Sequence, residues 1–497
     1  MRSAETHFNH TAETRNPIRG TMTPPHARNL IDGQWRDGHA IGTSVDPATG
    51  ETLGTYADGG AVTARAAIDA ARRAFDETDW SRDRHLRAGV LFALADALAA
   101  RRDELVHLLS RENGKTLANA GMEVDGTIPK LRYNAALALT DLGRAAEVVP
   151  GSYSTVLPQP LGVAAVIVPW NSPIILSVRS FAPALAAGCT VAMKMPAQTG
   201  LVNGLLYEIL AETVPAGVIN AFTESGNEGA PLLVTDEHTD VVSYTGSTAV
   251  GAAIMAAAAP RLKPLSLELG GKTPMIVFDD ADLDAVVPVL VAGITTFAGQ
   301  FCMAGSRILA QRGIADRLRD RLVQALTEVR VGPGTDPAST MGSMIDRAQA
   351  ERVDRIVEEA SAYAKVLVRG GLVNPDGLDG LVRPALLEVE DVSSAAVQDE
   401  IFGPVATFEL FDDEDDAVRR ANATRYGLAA SVWSRDVDRP LRVARRIDAG
   451  TVWTNDWAVT FDQMEEGGFK HSGLGRLNGH RAIEEFQEVK HLVHRIG

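Results

Sequence analysis

The chain has 497 residues, too many for one compact core, so two or three domains are expected. Its 48 basic and 64 acidic residues leave a net charge of −16, which opposes non-specific binding to nucleic acid or to an anionic membrane. Two cysteines, Cys189 and Cys302, cannot build a disulfide framework and point to a reducing compartment such as the cytoplasm.

No apolar run is long enough to span a bilayer, and the alanine-rich stretch 252–259 is far too short. Residues 1–27 are expected to be a flexible tail. The first 26 are polar, with Arg2, Arg15 and Arg19 scattered among Ser and Thr, and they lack the apolar centre of a secretory signal. The alternatives there are a weak transit peptide or a start at Met22.

Apolar residues every three or four positions predict helices over 61–80 and 82–112, the second closed by Asn113-Gly114. A third helix is expected over 124–142. Beyond Pro150 the pattern changes to short β-rich runs alternating with helices. Strands are expected at 163–168, 191–193, 218–222, 241–244 and 275–278, with helices at 174–187 and 200–214. A second βα series follows, with helices at 282–296, 314–329 and 346–363 and strands at 365–369, 405–409 and 429–433. Such alternation predicts α/β architecture with doubly wound parallel sheets.

Six short motifs stand at strand ends or turns, where open α/β sheets hold ligands. GQFCMAGSRI at 299–308 surrounds Cys302 with small residues, so a substrate carbon can reach the sulfur; a packed core thiol is the alternative. PWNSP at 169–173 offers the Asn171 amide to an oxyanion, or is simply a turn. KMPAQT at 194–199 offers Lys194 to ribose hydroxyls or phosphate, or to solvent. YTGS at 244–247 opens a helix whose free N–H groups suit a pyrophosphate, although no GxGxxG is present. LELGGK at 267–272 sets Glu268 in apolar company, where a carboxylate's pKa rises into the range of a base; a structural ion pair is the alternative. EIFGP at 400–404 brings Glu400 for a sugar diol and Phe402 for a flat ring, or as core.

Together with GGFKHSGLGR at 467–476, these motifs occur in the order that resembles the aldehyde dehydrogenase superfamily, from about residue 29 to 490. The resemblance implies NAD(P)-dependent oxidation of an aldehyde to an acid. Cys302 looks like the nucleophile, Asn171 and the Cys302 N–H like the oxyanion donors, and Glu268 like the base that activates water against a thioester. Lys194 would meet the adenosine ribose, and Thr245, Gly246 and Ser247 the pyrophosphate. Gly226 would approach the adenine, Glu400 the nicotinamide ribose and Phe402 the ring, with Trp170 and Leu269 lining the slot. No metal is implied.

The family's architecture implies a cofactor domain at 28–134 and 155–268, a catalytic domain at 269–477, and a small β element for assembly at 135–154 and 478–497. A homodimer or homotetramer is expected through an added edge strand.

Several positions depart from the family pattern. Ala197 replaces a glutamate that holds the adenosine ribose in many NAD-using members, which removes repulsion towards a 2′-phosphate and makes NADP possible. NAD remains the expected cofactor because no arginine is added nearby. Ser180 and Leu477 replace a lysine and a glutamate often proposed to relay a proton, so water or other groups must move it. Glu465-Glu466 replaces a proline and an aromatic, and solvent exposure is the simplest expectation for both acids. Cys189 reads as packed core and His471 as surface. Leu176, Phe297, Phe301, Met303 and the loop 457–461 lean apolar, which favours an aliphatic or aromatic aldehyde over a charged one.

Three rivals remain. A coenzyme A-acylating relative would not need Glu268. A thiol esterase would work with the nucleotide slot empty. A binding protein on the same fold would not need its intact Cys302, Glu268 and Asn171.

Overall fold

The computed structural model describes residues 25–140 and 142–496. Residues 1–24 of the expected tail lie outside the described residues. His26–Ala27, also placed in that tail, forms a short strand parallel to Thr55 and Tyr56.

Two parallel sheets organise the chain. At the centre of the first, the strands Ile219–Glu224, Thr190–Pro196, Val163–Ile167, Val241–Thr245 and Leu265–Glu268 lie side by side in that order. In chain order this is 3-2-1-4-5, with a reversal between Val163–Ile167 and Val241–Thr245. The VAAVI strand is buried along its whole length because helices cover both faces, which explains its unbroken apolar run. Pro173–Ala187 follows it, with proline in its first turn and left-handed Gly188 at its end.

The second sheet runs Lys365–Val368, Ala385–Glu388, Val405–Phe411, Arg307–Gln311, Pro274–Val277, Ala429–Trp433 and Thr451–Thr454. All its pairings are parallel except the first. Gly473–Leu474, expected with this half, instead pairs antiparallel with Leu267 and Glu268 of the first sheet. A third sheet of Arg144–Val149, Ser152–Pro160 and Gln487–Arg495 stands off the body. The expected assembly segment 135–154 thus starts inside the helix Leu117–Thr140, and its second strand runs on to Pro160.

One helix differs from expectation. The periodic stretch 82–112 is two helices, Arg84–Ala100 and Arg102–Asn113, broken at Arg101. Arg101 leaves the helical conformation there, and its guanidinium pairs with Glu104 and with Glu208 of another helix.

Inside the second sheet, Arg307 and Glu409 form a fully buried two-point ion pair, Nε to Oε1 at 2.8 Å and Nη2 to Oε2 at 2.7 Å. The carbonyl of Arg420 takes a further guanidinium hydrogen bond at 3.0 Å. Arg307→Met should leave Glu409 charged and alone, lowering stability by about 3–5 kcal/mol, whereas the double variant Arg307→Met/Glu409→Met should recover most of that. Chemical denaturation of the three proteins checks this.

Candidate active site

Glu268 ends the last parallel strand of the first sheet, and six residues later Pro274 begins a strand of the second. The crossing contains Gly270 and Gly271. A Cβ on Gly271 would stand 2.3 Å from the Cys302 carbonyl oxygen, and one on Gly270 would stand 2.4 Å from Glu400 Oε2. Only glycine allows the two halves to close to this distance. The site therefore lies between the C-terminal edge of one sheet and the N-terminal edge of the other. Cys302 precedes the strand Arg307–Gln311, and Glu400 and Phe402 precede Val405–Phe411.

Cys302 is reached through a turn in which Phe297, Ala298 and Gly299 are all left-handed, with φ of 53°, 54° and 71°. Gln300 stabilises this unusual backbone. Its side chain donates to the Phe297 carbonyl at 3.1 Å and accepts from Ile345 N–H at 2.9 Å. Asn171 Nδ2 donates to the Gln300 carbonyl at 3.1 Å, which joins the Asn171 turn to the cysteine loop. The Asn171 turn is fixed from behind by the buried Lys115–Glu123 pair. Glu123 accepts from Ile174 N–H at 2.8 Å, and Lys115 donates to Ser172 Oγ at 3.0 Å.

Three connected cavities meet here. A groove of about 530 Å³ runs along the sheet edge past Trp170, Lys194, Thr245, Gly246 and Ser247. A chamber of about 280 Å³ shares those turns and adds Asn171, Glu268, Leu269, Cys302, Glu400 and Phe402. A tunnel of about 160 Å³ reaches Cys302 and Asn171 from the other side. Of the catalytic and cofactor residues expected from the sequence, all but Gly226 line these spaces; its neighbours Ser225 and Asn227 line the groove instead.

The groove lies at the strand-order reversal, where doubly wound sheets hold nucleotides. Ser247 caps the helix Thr248–Ala258, so that helix's N-terminus opens on the groove. Trp170 and Phe402 meet edge to face at 5.5 Å in the chamber. A cationic lysine, a helix N-terminus and a partly apolar slot form a donor set that fits a dinucleotide.

Enclosure sets the charges. Burial pushes the Glu268 carboxyl up to about 7, opposed by nearby Arg179. Its Oε1 has no hydrogen-bond partner, so one carboxylate oxygen is available. Burial likewise pushes the Cys302 thiol up to about 12, again against the pull of Arg179. Glu400 is raised by burial and accepts from Gly271 N–H at 3.1 Å. Cys189 is fully buried, as expected of core.

The tunnel corrects two expectations. Leu176, Phe297, Phe301 and Met303 do line it, but so do Glu123, Lys130, Arg179 and Glu466. Glu466, expected in solvent, is only 7% exposed because its carboxylate pairs with Arg179 at 3.0 Å and accepts from Asn478 at 2.9 Å. Asn478 in turn accepts from Lys130 at 2.6 Å, and Lys130 pairs with Asp462 at 2.7 Å. Sequence reasoning missed Arg179 because it reads as one more position on a buried helix. The Glu-Glu departure itself was the available signal for Glu466.

A model of the aldehyde dehydrogenase family matches residues 35–492. The chain belongs to the aldehyde dehydrogenase family. It is 36% identical over 471 residues to the betaine aldehyde dehydrogenase of Bacillus subtilis, covering 93% of this chain and 96% of that protein. The NADP-dependent succinate-semialdehyde dehydrogenase of Escherichia coli is 35% identical over 472 residues, with the same coverage. The betaine aldehyde dehydrogenase of Staphylococcus aureus, solved in complex with NAD+, superposes with a TM-score of 0.91. That structure is 36% identical and covers 94% of this chain and 95% of its own.

This aldehyde dehydrogenase oxidises aldehydes to acids with a nicotinamide dinucleotide. Its two halves should be intolerant of any side chain at the crossing. Gly271→Ala should keep the fold, read by circular dichroism, while turnover drops by about 100-fold as the cysteine loop is displaced.

Proposed function

We propose that Cys302, Asn171 and Glu268 carry the chemistry, each in the role that the shared chamber allows. The carrying observation is that Cys302 and Asn171 belong to both the chamber and the tunnel, while Glu268 lines the chamber beside them. An aldehyde entering by the tunnel meets the sulfur at the junction. Cys302 Sγ gives its proton to water and, as the thiolate, adds to the carbonyl carbon, whose oxygen becomes the oxyanion. The second hydrogen of Asn171 Nδ2 and the Cys302 N–H hold the oxyanion. The dinucleotide supplies, when bound, the hydride acceptor that takes this carbon to the thioester level. Glu268 then takes a proton from water, which attacks the thioester and releases the acid and the thiol.

Lys194 and the turn Thr245-Gly246-Ser247 would hold the adenosine ribose and pyrophosphate. Glu400 would hold the second ribose, and Trp170, Leu269 and Phe402 would frame the nicotinamide. Gly226 lies between Ser225 and Asn227, which line the groove, and would approach the adenine from that loop. The buried base favours water over coenzyme A as the acyl acceptor.

We read the exposed apolar residues of the third sheet, including Val148, Val149, Val489 and Val493, as the face on which copies assemble into a dimer or tetramer. The two sheets would be the cofactor and catalytic domains. Two unpaired cysteines suit a reducing cytoplasm. No described helix is long and apolar enough to cross a membrane.

The tunnel also bears on the substrate. The charges of Arg179 and Glu466, of Lys130 and Asp462, and of Glu123 and Lys115 are already matched. A charged aldehyde would have to break one of these pairs, so a neutral aliphatic or aromatic aldehyde is favoured.

Cys302→Ala should abolish both aldehyde oxidation and labelling of this thiol. Glu268→Gln should preserve the initial burst of reduced cofactor yet slow steady turnover by about 10²–10⁴-fold, without rescue by coenzyme A. Stopped-flow absorbance separates the two phases.

Because the folded Glu268 is raised to about 7 from 4.5, it holds its proton below that pH and cannot act as a base. Turnover limited by hydrolysis should therefore fall as pH drops through about 7, and Glu268→Gln should lose that limb. In an aldehyde panel, kcat/KM for a chain ending in carboxylate should be at least about tenfold below that of a neutral chain of equal length. A preference for the carboxylate would mean that Arg179 exchanges Glu466 for substrate.

A further inference from the structure

The adenosine end of the groove contains an acid that the sequence motifs do not place there. Glu224 ends the strand Ile219–Glu224 and pairs in register with Pro196, the residue just before Ala197. The carboxylate missing at 197 is thus replaced by one on the neighbouring strand, at the same level of the sheet edge.

Glu224 is 2% exposed and lines the groove with Lys194, Gln198 and Ser225. Its Oε1 accepts from the backbone N–H groups of Glu228 at 2.9 Å and Gly229 at 2.6 Å, which fixes the orientation of the carboxylate. Its Oε2 has no hydrogen-bond partner. A buried acceptor left unsatisfied is unfavourable unless something else supplies the donor. Lys194, the cation of this wall, makes no ion pair or side-chain hydrogen bond among the described residues. Beyond this polar wall, the apolar side chains of Pro231, Val234, Val250 and Ile254 also line the groove.

We propose that the Glu224 carboxylate accepts from the hydroxyls of the adenosine ribose and makes this enzyme select NAD over NADP. A diol satisfies both Oε2 and Lys194. A 2′-phosphate would put two negative charges against a fixed carboxylate in a part-enclosed wall. The backbone N–H groups that might have received that phosphate are already held by Oε1.

This rests on the groove being the dinucleotide site proposed above, and calorimetric titration of the whole protein separates the two claims. The native protein should bind NAD at least about 30-fold more tightly than NADP, and Glu224→Gln and Glu224→Ser should each shrink that ratio by about tenfold. A measurement without a variant uses adenosine fragments: adenosine 5′-diphosphate should compete with NAD, and adenosine 2′,5′-bisphosphate should not. If NAD and NADP bind equally to the native protein, or both variants keep its ratio, the assignment to Glu224 is wrong while the groove stands. If neither dinucleotide binds, the groove itself is misassigned and the proposal fails with it.

Discussion

Two missing side chains set the distance on which this enzyme depends. At Gly271 the backbone passes so close to the Cys302 carbonyl that no β-carbon fits, and at Gly270 a β-carbon would push the Glu400 carboxylate aside. The first sheet delivers Glu268 and the turns for a nucleotide, and the second delivers Cys302, Glu400 and Phe402. Neither half holds a complete site. The close crossing between them turns two separate sheet edges into one chamber.

The same closeness governs the electrostatics. Removing water from the chamber raises Glu268 toward neutrality and makes the resting thiol a reluctant anion. Arg179 opposes both shifts from within the wall, and its own charge is balanced by Glu466. A carboxyl that titrates near neutral pH and a thiol held in its protonated form thus follow from one cause, enclosure. The left-handed turn before Cys302 is tolerated because Gln300, Asn171 and Ile345 over-determine it.

Much of this was legible from local pattern. The strands 163–168 and 241–244 were readable as apolar runs, and PWN, TGS, ELGG and the cysteine loop are turns whose chemistry lies in neighbouring residues. What escaped were contacts between distant residues. The periodicity of 82–112 gives no hint of the break at Arg101, because the apolar pattern continues across it. Glu466 read as a surface acid because its partner lies 287 positions earlier. Lys130 and Asp462 are separated by 332 positions, and neither carries a motif. Glu224 sits in a stretch with glycine and serine that looks like an ordinary loop, and only strand register puts it beside Pro196.

The linked charges around the tunnel also bear on how this enzyme can diverge. Replacing Arg179 alone strands Glu466, and replacing Glu466 alone strands Arg179, each inside a wall that tolerates no lone ion. A lineage acquiring a new substrate through this wall would therefore pass through an unstable intermediate or alter both codons together. That coupling makes the pocket conservative in a way its individual residues are not, and leaves the unpaired Met122 and Ile175 as the easier places for selectivity to drift.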